Sequence, residues 1–182
     1  MAKDFFDIEK AKAVVLFIAQ KATGETDLLK IFKILYFAEQ KHLAKYGCPI
    51  IADRYIAMKN GPVPSKIYDF FKALRGDGYA ISEAENFCKA FEITNGYIVV
   101  GKEEPDFDYL SKSNIGCLED AIRENHALNF WQLSDKSHDE AWENACRDDE
   151  INYIDIAKAG GANDEMIKYI NEYFEIRNIE IA

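Results

Sequence analysis

Apolar residues recur at every third and fourth position through most of the first 46 residues, and that period commits this part of the chain to packed helices. Ile8, Ala11, Val15, Ile18 and Ala22 form one stripe. Such a stripe must lie against another element, because a wet apolar face is unfavourable. Asp7 stands at the N-cap position, where its carboxylate can accept a first-turn amide, and Gly24 is expected to end the helix. A second stripe runs through Leu28, Ile31, Leu35, Ala38 and His42, widened by Phe32, Tyr36 and Leu43. Thr26 or Asp27 caps it, and Gly47 with Pro49 stops it after about Tyr46.

The pattern then changes. Arg54 to Lys59 alternates weakly and reads as a short strand, followed by a turn at Asn60-Gly61-Pro62. Pro64 suits the first turn of a third helix, which buries Ile67, Phe70 or Phe71, and Leu74. Phe91–Thr94 and Tyr97–Val100 flank Asn95-Gly96, a pair that supplies the two positive φ angles of a type I′ turn. This predicts a hairpin. Ile115, Leu118 and Ile122 mark a middle helix. Ser137 and Glu140 have the spacing of a capping box before Ala141, Trp142 and Ala145. Asn163 caps a last helix with Met166, Ile167, Ile170 and Phe174 on one face.

With 182 residues, 48% of them hydrophobic, the chain has enough apolar mass for one core. The expected fold is mainly α with a small β component. It is a single compact helical domain over residues 1–182, with about six or seven helices, one hairpin and one short extra strand. No apolar run approaches the roughly 18 residues a membrane helix needs, so no membrane partner is expected. Met1 to Asp7 lacks the order of regions of a secretory signal, and a cytoplasmic location is expected. Cys48, Cys88, Cys117 and Cys146 are far apart, which predicts reduced thiols, mostly buried, rather than a disulfide framework.

Charge is unevenly placed. Residues 1–75 hold 13 Lys and Arg against 8 Asp and Glu, whereas the remainder holds 9 against 24. An acidic second half repels phosphate backbones and favours a basic protein surface or plain solubility.

No catalytic constellation is specific. Ser137, His138 and Asp139 are consecutive, so their side chains diverge at a helix start, and the capping box accounts for Ser137 and Glu140. His42, His126 and His138 lack metal-ligand spacing, and His42 falls in an apolar series, where a hydrogen-bonded buried histidine is expected. Gly160-Gly161 is not a phosphate loop. No enzyme activity, metal or cofactor is expected. The order helix, helix, strand, helix, hairpin is also that of a winged helix, and a basic N-terminal half fits DNA. However, residues 64–75 offer Lys66, Lys72 and Arg75 beside Asp69, Phe70 and Phe71, few polar groups for reading base edges. A DNA-binding, possibly autoregulatory, regulator is therefore the alternative and not the favoured reading.

One set of motifs is more specific. It comprises Lys33-Ile34-Leu35-Tyr36-Phe37-Ala38, then Gly47-Cys48-Pro49-Ile50, Asp53-Arg54-Tyr55-Ile56-Ala57 and Gly61-Pro62-Val63. Leu133-Ser134 and Ser137-His138-Asp139-Glu140-Ala141-Trp142 follow. In this order they resemble the Panacea domain of SocA-like antitoxins and phage-associated GepA-type proteins. The resemblance covers about residues 8–145, leaving 146–182 as a C-terminal helical extension. It implies a non-catalytic protein encoded beside a toxin, which it binds and neutralises. The toxin differs between members, and one member hands its toxin to a protease. Tyr36, Phe37, Gly47, Asp53, Gly61, Pro62, Ser137, His138, Glu140 and Trp142 carry the motifs. Large groups such as Tyr36, Phe37, Tyr55 and Trp142 are expected to knit helix, strand and C-terminal motif together. Candidate toxin contacts are Tyr55, Met58, Asn60 and Pro62 on the strand and turn, with Tyr169 and Tyr173 on the extension.

Overall fold

The computed structural model describes residues 5–22, 24–79 and 81–177; Met1 to Asp4 of the N-terminal reading lie outside them. Two long helices, α1 (Ile8–Lys21) and α2 (Leu28–Tyr46), form the centre. Asp7 caps α1, accepting from the amides of Glu9 and Lys10. The helix stops at Ala22, two residues short of the expected Gly24, whose φ of 85° lies in the following turn. Asp27 and not Thr26 caps α2, accepting from the Lys30 amide at 2.7 Å. Gly47 closes α2 in the left-handed region at φ 71°.

The strand expected at Arg54–Lys59 is β1 (Tyr55–Met58), and it has a partner. β2 (Gly61–Pro64) pairs with it antiparallel, Tyr55 opposite Pro64 and Met58 opposite Gly61. A second hairpin therefore stands where a lone strand and a turn were expected. Two prolines in four residues hid it, since proline removes ladder donors. Here β2 is an edge strand. The far edge of β1 is covered by Asp148–Ile151, through bonds such as Ala57 N to Asp149 O at 2.9 Å and Ile151 N to Tyr55 O at 2.8 Å.

Beyond it come α3 (Ser65–Arg75), the short α4 (Glu85–Lys89), and the hairpin of β3 (Phe91–Thr94) with β4 (Ile98–Gly101). Its loop has three residues, with Asn95 and Gly96 at φ 52° and 79° as expected. Tyr97 is the extra one, and its carbonyl accepts from Leu28 N at 3.1 Å while Thr26 O accepts from Val99 N. The hairpin is thereby fastened to the start of α2. The rest is helical: α5 (Lys112–Asn125), α6 (Phe130–Ser137), α7 (Glu140–Asn144), α8 (Tyr153–Ala159) and α9 (Asp164–Ile176). Nine α-helices among the described residues exceed the expected six or seven, because α4, α7 and α8 are too short to show a full period.

One hydrophobic cluster joins all of these. Leu16, Phe17, Ile31, Leu35, Tyr36, Phe71, Phe87 and Phe174 are essentially inaccessible. Both Phe70 and Phe71 are buried, and Phe71 and Phe87 meet edge to face at 5.4 Å. No helix among the described residues is long and apolar enough to cross a membrane. All four cysteines are free, but only Cys117 is buried; Cys48 and Cys88 are half-buried and Cys146 is exposed.

Candidate functional site: a clamped hairpin beside an apolar groove

The motif residues converge on the β1–β2 hairpin. Three of its carbonyls, on alternate residues, are each taken by a different side chain. Trp142 Nε1 donates to Met58 O at 2.9 Å, Ser134 Oγ to Asn60 O at 3.3 Å, and Lys33 Nζ to Pro62 O at 2.7 Å. Gly61 sits between them at φ 97°, and a methyl group there would overlap Ser137 Oγ and lie 3.0 Å from Lys33 Nζ. A buried carbonyl left without a donor is costly, so this convergence fixes where the turn stands.

Two buried acids hold the approaches. Glu39 accepts from the amides of Ile50 and Ile51 at 2.7 and 3.1 Å, bracing the loop after Gly47. Asp53 accepts from Lys66 and Ile67 amides at 3.0 and 3.1 Å. It thus supplies from a distance the cap that Pro64, without a side-chain acceptor, cannot give α3. Burial drives all three ionisable groups toward neutrality. Glu39 rises from 4.5 to about 7, against the pull of its two amides, and Asp53 rises from 3.8 to about 6. Lys33 falls from 10.5 to about 7.

Behind the hairpin, Tyr36 packs on Phe37 and Tyr55, with ring centres 5.8 and 5.5 Å apart. Tyr36 donates to the Asp139 carboxylate at 3.1 Å, and Gln40 donates to it at 2.6 Å. The knitting role expected of Tyr36, Phe37, Tyr55 and Trp142 is thus seen.

The capping box expected at Ser137 and Glu140 is not. Ser137 ends α6, buried, and donates to Ser134 O at 2.9 Å, while Glu140 is exposed. Asp139 is the cap of α7, accepting from the Trp142 amide at 3.1 Å. The physical reason is that His138 breaks the helix at φ −80°, ψ 57°, so the new helix starts two residues later than the spacing suggested. His138 stacks on Trp142 at 3.9 Å. His42 is buried and hydrogen-bonded to Cys48 O, Ser113 and Asn114, as a core histidine.

The six candidate contacts separate. Tyr55 is fully buried and Pro62 is buried with its carbonyl on Lys33, so neither is a surface contact: the hairpin turns those faces inward. Met58 and Asn60 are half-buried and face outward into an open groove of about 550 Å³. Its other walls are Leu28, Leu29 and Phe32 from α2, Tyr68 and Arg75 from α3, Tyr97 from the second hairpin and Phe130 from α6. Sequence reading missed this groove, because its walls come from five elements that no local pattern links. Tyr169 is 52% exposed and lies over Gly47; Tyr173 is half-buried against Phe174. Groove and extension thus sit at opposite ends of α2, roughly 25 Å apart for a helix of its length.

On α3 the cations proposed for reading DNA are engaged within the chain. Lys72 pairs with Asp69, Arg75 pairs with Asp77, and Lys66 lies over the Phe6 ring. Among the described residues no group of His, Cys, Asp and Glu is arranged to hold a metal.

The scaffold is thus a helical core that fixes one short hairpin beside an apolar groove. The family model described as "Antitoxin SocA-like, Panacea domain" matches residues 31–143, and the chain belongs to that antitoxin-like family. The matched span contains the hairpin, its three donors and both buried acids. No curated protein and no solved structure gives a match.

Proposed function

We propose that this protein is the antitoxin of a toxin–antitoxin pair, neutralising a cognate protein toxin by direct contact and without catalysis. The observation that carries the reading is the open groove of about 550 Å³ beside a rigidly clamped hairpin, in a chain of the antitoxin-like family. Rigidity matters because a surface ordered before binding loses less entropy on association. Free thiols suit the cytoplasm, where such a toxin would act. Delivery of the toxin to a protease is an extension of the same reading.

The test is co-expression. The gene next to this one is placed under an inducible promoter, alone and with the tagged protein. Growth arrest by the neighbour, relieved on co-expression with a co-purifying complex, is the expected result. A harmless neighbour, or one that never binds, overturns the reading.

A further inference from the structure

The groove walls carry three charged side chains, and two are already engaged. Asp27 is committed to the Lys30 amide, and Arg75 donates to Asp77 at 3.0 Å. Lys59, at the tip of the first hairpin, is exposed and has neither hydrogen bond nor ion pair among the described residues. It lines the groove together with the apolar side chains Leu28, Phe32 and Met58. Two exposed aromatic rings belong to its walls or adjoin them. Tyr97 on the rim is 56% exposed, and Trp131, 70% exposed, meets the groove residue Phe130 edge to face at 4.8 Å.

We propose that this groove takes an acidic segment of the partner toxin: a bulky apolar side chain seated against Met58 and Phe32, and an adjacent Asp or Glu carboxylate on Lys59. This rests on the antitoxin reading and names the chemistry of its contact. The cleft lies within the ~300–1,000 Å³ range of ligand-sized pockets. Exposed aromatic residues beside an apolar cleft are the composition of binding hot spots. The sign follows from the free ammonium: a cationic segment would meet Lys59 unscreened at contact distance, whereas an anionic one gains a partner. The groove is built mostly from residues 1–75, the basic part of the chain. Glu143 of the acidic part borders a smaller neighbouring cavity together with Lys59 but lines no part of this groove.

The test uses the full chain and the purified product of the adjacent gene. Binding is measured for wild type, Lys59→Glu, Met58→Glu and, at the far end of α2, Tyr169→Ala. Melting curves check that each is folded, as substitutions at an exposed and a half-buried side chain allow. Lys59→Glu should weaken binding at least about tenfold and flatten its salt dependence, and Met58→Glu should weaken it more. Tyr169→Ala should bind as wild type. If wild type binds and the two groove variants bind equally well, this inference falls while the antitoxin reading stands. If Lys59→Glu binds more tightly, the assigned charge is wrong and the inference falls. If light scattering shows a wild-type dimer that the groove variants split, the groove is a self-association surface, and the inference falls. If wild type binds nothing, both readings fall together.

Discussion

Each of the two hairpins pairs strands of four residues, yet they are held in different ways. The Phe91–Gly101 hairpin carries its own instructions. Asn95 and Gly96 supply both left-handed residues, no atom crowds Gly96, and main-chain bonds tie the sheet to the start of α2. The Tyr55–Pro64 hairpin has two prolines in one strand, and of its own Asn60-Gly61 pair only Gly61 is left-handed, at φ 97°. It exists because Lys33, Ser134 and Trp142 capture its carbonyls, and because Asp148–Ile151 covers its outer edge. A local device makes a hairpin that can sit anywhere. A tertiary clamp makes one whose position is set by the core.

That contrast can be broken by substitution, and the largest effect is expected at Gly61. Gly61→Val puts a branched side chain at φ 97° into Ser137 and Lys33, and should cost about 3–5 kcal/mol or prevent folding, read by chemical denaturation. Gly96→Val should fold and lose far less; equal losses would mean that the two hairpins are held alike.

Removing one donor of the clamp is the next step down. Trp142→Phe keeps the ring but orphans the Met58 carbonyl, and should cost about 1–3 kcal/mol. Under the proposed antitoxin function, affinity for the toxin should fall with it, because the hairpin tip loosens.

The buried charges give a test in pH. Glu39 and Asp53 have raised values, so the stability each contributes is present below its ordinary 4.5 or 3.8 and is lost as pH climbs through about 7 and about 6. Lys33 has a lowered value, so its contribution is present above 10.5 and is lost as pH falls through about 7. These groups place a stability minimum near neutral pH. Glu39→Gln should flatten the fall on the acid side, and Lys33→Met the rise on the alkaline side, in denaturation curves between pH 4.5 and 10.5. A wild-type profile that the two variants reproduce unchanged would remove electrostatics from the account of the clamp.

The smallest effect is expected at the locally encoded turn. Gly96→Ala meets no atom within 4 Å, so only the φ of 79° opposes it, a loss of about 1 kcal/mol. Hydrogen exchange should show it confined to β3 and β4.

The chain's own pattern was enough for α1, α2, the caps Asp7 and Asn163, and the Asn-Gly hairpin, while it left the cap of α2 between Thr26 and Asp27. Each rests on residues within one or two turns of one another, where period and local hydrogen bonds decide. The motif order was also enough to point to the antitoxin-like family, since several spaced motifs rarely coincide. The assignments that failed depended on distant partners. Ser137 was read as a cap because its neighbours fit a box, but the broken helix at His138 moved that role to Asp139. Tyr55 and Pro62 were read as contacts because their segment looked like a surface turn, but the clamp faces them into the core. The groove, with its floor from α2 and its lip from β1–β2, appeared only once residues roughly 30–100 apart in sequence met. Helical and turn propensities are energies of neighbours along the chain, whereas carbonyl capture and cleft formation are energies of neighbours in space, and only the folded core brings those together.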